Sequence, residues 1–81
     1  MKLYFKNSKG KETLIGEPAS YKEAVQKIND FLKDHNYTSY YMRLSMNREE
    51  HFIWFDVGSH SEFFYLRNVE DSVMDGVLNG A

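Results

Sequence analysis

The clearest pattern in the chain is a stripe of largely apolar residues at helical spacing between residues 20 and 36. The stripe consists of Tyr21, Ala24, Val25, Ile28, Phe31, Leu32 and His35. Residues three and four positions apart share one face of a helix, and charged and amide side chains fill the intervening positions. Ser20 and Glu23 have the spacing of a capping box, and Asn36 suits the left-handed residue that ends many helices. The pattern predicts one amphipathic helix of about sixteen residues.

Two short extended segments precede this helix. In residues 2–6, Leu3 and Phe5 lie on one face of a strand and Tyr4 lies on the other. The polar run 7–11 is typical of a turn, and residues 12–15 resume as a strand rich in β-branched side chains. The sequence therefore predicts a β-hairpin before the helix.

Three more strands are predicted after the helix. Residues 38–46 alternate, and the set expected to face the helix is Tyr40, Met42, Leu44 and Met46. Residues 51–57 are almost continuously apolar, which is typical of a central strand. A Gly-Ser turn at 58–61 then leads into a last strand at 62–67.

These elements predict an α+β fold of order β-β-α-β-β-β. We expect an antiparallel sheet of four or five strands with the helix packed on one face. Residues 1–67 are expected to form a single domain. In the acidic segment 68–81, apolar residues have loose helical spacing but Gly76 and Gly80 weaken it, so a short helix and a frayed tail both stay open.

Composition narrows the class of protein. The chain has 81 residues, 16% of them aromatic, and no cysteine, which excludes a disulfide framework and a thiolate zinc site. The first six residues lack the pattern of a signal peptide, and no segment reaches the roughly 20 apolar residues of a membrane span. We therefore expect a soluble cytoplasmic protein that does not associate with membranes.

The charge distribution bears on possible partners. The formal net charge is -2, yet residues 1–67 hold all ten Lys and Arg against nine acids, and residues 68–81 hold three acids and no base. A negative net charge speaks against a protein whose main task is to grip a phosphate backbone.

One segment carries a resemblance to known proteins. The sequence WFDVGSHSEFF at 54–64, with KLYFK at 2–6 and SYYMR at 39–43, resembles small uncharacterised proteins encoded by phages and prophages of Gram-positive bacteria. The likeness covers roughly residues 2–67. It implies an accessory role in an infected or lysogenic cell, by binding a host or phage macromolecule, and it supplies no site residue.

The 56–62 turn holds the side chains of a hydrolytic site, namely Asp56, Ser59, His60, Ser61 and Glu62. A catalytic relay is normally assembled from separate parts of a fold, whereas turns commonly use these residue types for conformational reasons. We expect Asp56 to accept backbone N–H groups across the turn, and His60 to be exposed. We predict no catalytic residues and a protein that is not an enzyme.

No metal or cofactor site is predicted either. His51, His60, Asp56 and Glu62 could be considered as ligands, but their spacing matches neither zinc nor calcium loops. The sequence contains no P-loop and no dinucleotide fingerprint.

The first hairpin is basic, which raises the alternative of a single-stranded nucleic-acid-binding protein. Its lysines are Lys2, Lys6, Lys9 and Lys11, and Tyr4, Tyr41 and Arg43 could extend them into an aromatic and basic surface. The signature of an RNA-recognition sheet is missing, and lysines on a hairpin often protect a sheet edge.

The surplus of aromatic residues is more informative, because one helix covers only one face of a sheet. The residues expected on the uncovered face are Tyr4, Tyr41, Ile53, Phe55, Phe64 and Leu66. A one-residue shift in strand 52–57 would exchange its two faces. The C-terminal segment, a second copy or a partner protein could cover this face.

The leading hypothesis is an accessory protein that binds a host or phage protein, or itself, through that face or through the acidic tail. The candidate binding residues are Tyr4, Tyr41, Arg43, Phe55 and Phe64.

Overall fold

The computed structural model describes residues 1–37 and 40–78 of the chain. It contains five strands and two helices in these residues: β1 (Lys2–Lys6), β2 (Glu12–Gly16), α1 (Tyr21–Asp34), β3 (Arg43–Asn47), β4 (Phe52–Asp56), β5 (Phe63–Arg67) and α2 (Asp71–Leu78). The predicted α+β fold and element order are confirmed. The strand predicted at 38–46 instead begins at Arg43, and residues 38 and 39 lie outside the described residues.

The strands form one antiparallel sheet with the order β2-β1-β5-β4-β3. β5 returns to pair with β1, so the N-terminal hairpin and the later strands share one surface. β4 has a partner on each side, as its continuously apolar sequence predicts, while β2 and β3 are the edge strands.

Helix α1 has the boundaries that its end signals indicate. The Ser20 Oγ accepts the backbone N–H of Glu23 at 3.1 Å, which caps the first turn. At the other end Asn36 has a φ of 62°, the left-handed conformation expected just after a helix. Ala24, Ile28 and Leu32 are buried against the sheet.

The core lies between α1 and one face of the sheet. Leu3, Ile53, Phe55, Phe64 and Leu66 are fully buried in the same cluster as the apolar stripe of α1. The prediction that Ile53, Phe55, Phe64 and Leu66 lie on the uncovered face is therefore wrong. The two faces of β4 and β5 are the reverse of those expected. Both alternating sets of these strands are apolar, so periodicity alone does not show which set faces the helix.

The C-terminal segment forms helix α2 over Asp71–Leu78, one of the two alternatives that the sequence leaves open. Val69 and Met74 are buried in the same cluster as the residues under α1, so α2 adds to that core. Arg48 donates to Asp75 and lies 3.9 Å from Asp71, which ties α2 to the β3–β4 turn. Helix α2 thus does not supply the cover that the opposite face lacks. Within residues 1–37 and 40–78, neither helix is long and apolar enough to cross a membrane.

Candidate functional site

The sheet surface opposite α1, called the open face below, carries an unusual number of rings. Alternating residues of the strands point there, because Tyr4 pairs with Tyr65 and Tyr65 pairs with Trp54. Five aromatic side chains are half-buried on this face and are absent from the core cluster: Tyr4, Phe52, Trp54, Phe63 and Tyr65. They contact one another across strands, with ring centroids 5.7 Å apart for Phe52 and Tyr65 and 5.3 Å apart for Trp54 and Phe63.

Arg67 lies over three of these five rings. Its Nε and Nη2 donate to the Glu12 carboxylate on β2 at 2.9–3.1 Å, in a forked arrangement. Its guanidinium is 4.9 Å from the centroid of the Tyr65 ring and 5.4 Å from that of Phe52, within the range of cation–π attraction. The centroid of the Tyr4 ring on β1 also lies 6.0 Å from the guanidinium. The Arg67 side chain, which belongs to β5, therefore contacts residues of three other strands: β1, β2 and β4.

Cations outnumber carboxylates on the open face. Arg67 is paired with Glu12, and Arg43 donates to Asp56 at 3.3 Å. Lys2 and Lys6 share the face with Tyr4, since alternating residues of β1 point the same way, and the Lys6 Nζ lies 5.7 Å from the Tyr65 ring. The two lysines therefore leave this surface net positive although the whole chain has a net charge of -2.

Two hollows lie along β3, on either side of Trp54. The larger, of about 330 Å³, is lined by Ser45, Met46, Asn47, Phe52, Trp54 and Tyr65. The smaller, of about 280 Å³, is lined by Arg43, Leu44, Ser45, Trp54 and Asp56. Both arise because Ser45, the cross-strand neighbour of Trp54, is too small to cover the indole ring. The indole N–H of Trp54 is buried and has no hydrogen-bond partner among the described residues.

The structure divides the predicted binding residues. Tyr4 lies on the open face. Tyr41 is 50% exposed beside Gly58, and the Arg43 guanidinium lies 5.1 Å from its ring centroid. The Tyr41 oxygen and the Asp56 carboxylate raise the pKa of Arg43. Strand β3 is three strand spacings, or roughly 14 Å, from β1, and Arg43 is two residues out of line with Tyr4, so the two residues are roughly 16 Å apart.

Phe55 and Phe64 are wrong as binding residues. Both have no exposed surface and lie in the core with α1. A partner at the open face would instead contact their strand neighbours.

The predicted basic set is also divided. Lys2 and Lys6 lie on β1, whereas Lys9 and Lys11 lie in the β1–β2 turn, where their backbone N–H groups both donate to the Asn7 Oδ1 at 3.0 Å. The first two lysines therefore lie on the open face with the rings, and the other two lie in the turn.

Side chains of the 56–62 turn make turn-stabilising hydrogen bonds. The Asp56 Oδ1 accepts the backbone N–H of Gly58 at 2.9 Å, as predicted, and His60 is exposed. The Ser59 Oγ accepts the N–H groups of Ser61 and Glu62. In the described part of the chain, no hydrogen bond joins His60 to either serine or to a carboxylate.

Glu62 has a partner from outside the turn. The Tyr37 hydroxyl donates to its carboxylate. Burial first, and then the hydrogen bond and negative charge of Glu62, raise the pKa of Tyr37 to about 12. This pair connects the end of α1 to the start of β5.

The four side chains considered as metal ligands are not brought together. His51 precedes β4 and Asp56 ends it, so the two are roughly 16 Å apart along the strand. Within the described ranges, no group of three His, Cys, Asp or Glu side chains could hold a metal ion.

The sequence predictions do not include the main residues of the open face: Phe52, Trp54, Phe63, Tyr65 and Arg67. The sequence does contain a signal for these residues. In β4, Asp56 lies on the same face as Phe52 and Trp54, because they are two or four positions apart. In β5, Arg67 lies on the same face as Phe63 and Tyr65 for the same reason. A charged residue at a strand end points to solvent more readily than to a core, so it marks the open face.

Comparisons of the chain with protein-family models, with curated proteins and with solved structures gave no match.

Proposed function

We propose that this chain is a cytoplasmic, non-enzymatic accessory protein of the phage type that its resemblance implies, and that it binds another protein through the open face. The observation that carries the proposal is the group of five half-buried rings, three of them in contact with Arg67, on a sheet face that no described element covers. An apolar surface of this kind on a small domain is typical of an interaction site.

The residue types support a protein partner. Tyr, Trp, Phe and Arg are enriched in the centres of protein interfaces and among the residues that contribute most to binding. Arg67 is already oriented by Glu12 and by the rings, so binding would cost little of its conformational entropy. Trp54 is flanked by hollows large enough for an apolar side chain.

Charge indicates the chemistry of the partner. Lys2 and Lys6 lie beside the rings and make no ion pair within the described residues, whereas Arg43 and Arg67 are paired. A segment with an apolar anchor in the Trp54 hollows and acidic residues toward β1 would complement both features. Pairing the Trp54 N–H with an acceptor on that segment, after a small rotation of the ring, would also remove an unsatisfied donor.

Selection from a library of displayed random peptides tests this proposal and does not require the partner to be identified first. We expect enriched peptides to combine an aromatic or aliphatic residue with Asp or Glu. Their binding should fall at least about tenfold with Trp54→Ala or Tyr65→Ala, since truncating a central interface ring commonly costs about 2 kcal/mol or more.

Leu78→Ala is the matched control, because Leu78 is an apolar side chain that is 64% exposed on α2, away from the open face. Circular dichroism of each variant separates lost binding from lost folding. Either the absence of enriched peptides, or binding that survives both ring variants in folded protein, would contradict the proposal.

A second candidate function is favoured by the lysines beside the rings. Bases of a single-stranded nucleic acid could stack on Tyr4 and Tyr65 while Lys2 and Lys6 contact phosphates. In that case a labelled oligonucleotide would bind with an affinity that falls steeply with salt, each phosphate contact adding roughly 0.7 to the logarithmic slope. Replacing Lys2 and Lys6 by alanine should reduce the slope, and replacing the turn lysines Lys9 and Lys11 should change it less. Salt-independent or absent binding would exclude this function.

A further inference from the structure

The two edge strands of the sheet differ in how they are protected against pairing with another chain. The ladder between β2 and β1 is irregular at Leu3 and Tyr4, and Pro18 follows β2 two residues after its end. Irregular pairing and proline are devices that block strand addition. β3 is paired regularly with β4 over all five residues, and within the described chain its outer edge faces no other strand.

From this difference we infer that β3 is a self-association edge, at which β3 of a second copy adds in antiparallel orientation. With the twofold axis at Ser45, the Ser45 residues of the two copies lie opposite each other, and Arg43 lies opposite Asn47 of the second copy. Arg43 is the one charged residue of the strand, so no like charges face each other across the axis. Pairing of the strand with itself therefore brings no like charges together.

Apolar side chains match in the same register. Leu44 lies opposite Met46 of the second copy on the side of the sheet that α1 covers. Leu44 is 37% exposed in the single chain, and this pairing would cover part of that surface. On the open face, the added strand would form the missing wall of both hollows beside Trp54.

The size of the contact sets its expected strength. Five residues of strand pairing with a few side chains bury an area at the low end of specific interfaces, below roughly 1,200 Å². The dimer should therefore be reversible and dependent on concentration. Its two five-stranded sheets would form one ten-stranded sheet with a continuous open face, which is a property beyond the proposed function.

Sedimentation equilibrium of the whole chain from about 1 µM to about 1 mM tests the inference, since even weak complexes are populated at the upper limit. The wild-type chain should shift from monomer to dimer. Ser45→Lys and Ser45→Glu should each weaken association at least about tenfold, because they place like charges about 5 Å apart across the axis. An equimolar mixture of the two variants should dimerise again.

Thr13→Lys is the control, since Thr13 is an exposed polar residue on the other edge strand, β2, and its substitution should leave the dimer unchanged. A wild-type chain that is monomeric at about 1 mM would overturn the inference. So would a dimer that survives Ser45→Lys, an equal effect of Thr13→Lys, or a mixture of variants that stays monomeric. Peptide binding measured at micromolar chain, where the protein is monomeric, tests the proposed function separately.

Discussion

Single residues at the two glycine turns show how far one backbone position constrains the chain. Gly10 and Gly58 have φ values of 83° and 89°, a region that residues with a side chain adopt only at a cost. Their surroundings differ. A Cβ at Gly10 would meet nothing within 4 Å, whereas a Cβ at Gly58 would lie 3.0 Å from the Cε1 of Tyr41. The pair therefore separates backbone strain from a steric contact.

Alanine substitution should reveal this difference in the free energy of unfolding. Gly10→Ala should cost about 1–2 kcal/mol, from the left-handed backbone alone. Gly58→Ala should cost about 1 kcal/mol more, because Tyr41 must move. Urea unfolding measures both values. If the Tyr41 contact is the cause, Gly58→Ala introduced into a Tyr41→Ala chain should cost no more than Gly10→Ala does, and an unchanged excess would reject that explanation.

At the scale of elements, sequence periodicity is informative where one face is polar and uninformative where both faces are apolar. The stripe of α1 has charged residues on its other side, and both its start at Ser20 and its end near Asn36 are correctly predicted. In β4 and β5 both alternating sets contain large apolar residues, so alternation alone does not decide the face of Phe55 and Phe64, and the expected face is wrong. The deciding information is the charged residue at the end of each strand, Asp56 in β4 and Arg67 in β5, which marks the set that faces solvent.

Helix α2 is short and contains Gly76, so intrinsic propensity alone does not predict that it forms. Its stability must come from packing, chiefly of the fully buried Met74. Met74→Ala should lower the free energy of unfolding by about 2–4 kcal/mol. Leu78→Ala, at a position that is 64% exposed on the same helix, should change it by less than about 0.5 kcal/mol.

Hydrogen exchange of the same two variants distinguishes global from local effects. If α2 is part of the core, amides of β4 and β5 should lose protection together with those of α2 in Met74→Ala. Faster exchange confined to α2, with a small change in unfolding free energy, would show that this helix unfolds independently of the sheet.

At the scale of the whole molecule, the order of the elements follows from local signals, but the content of the open face does not. Turn residues and hairpin lengths predict neighbouring strands, as at Gly10 and Gly58. The pairing of β5 with β1 joins residues about sixty positions apart, and it is this pairing that places Tyr65 beside Tyr4 and brings Arg67 within reach of Glu12. The candidate site could therefore be predicted as an uncovered aromatic face, while the contacts between its distant residues could not.

Arg67 connects four strands of that face, so its contribution to the stability of the sheet should exceed that of an ordinary surface arginine. Its hydrogen bonds to Glu12 and its position over Tyr65 and Phe52 should together stabilise the fold by about 1–2 kcal/mol, which Arg67→Ala would remove. Arg67→Lys should recover part of this, because lysine keeps the charge over the rings but cannot make the forked contact.

Arg43→Ala is the matched control, since that side chain is 72% exposed and its ion pair with Asp56 should contribute little to stability. A double-mutant cycle with Glu12→Ala isolates the ion pair from the ring contacts, because the rings are unchanged in both arms. Equal effects of Arg67→Ala and Arg43→Ala on the midpoint of urea unfolding would contradict the prediction, because Arg67 would then stabilise the fold no more than an exposed arginine does. A larger effect of Arg67→Ala that persists without Glu12 would instead show that the rings hold the guanidinium, and the open face would then have an ordered centre before any partner binds.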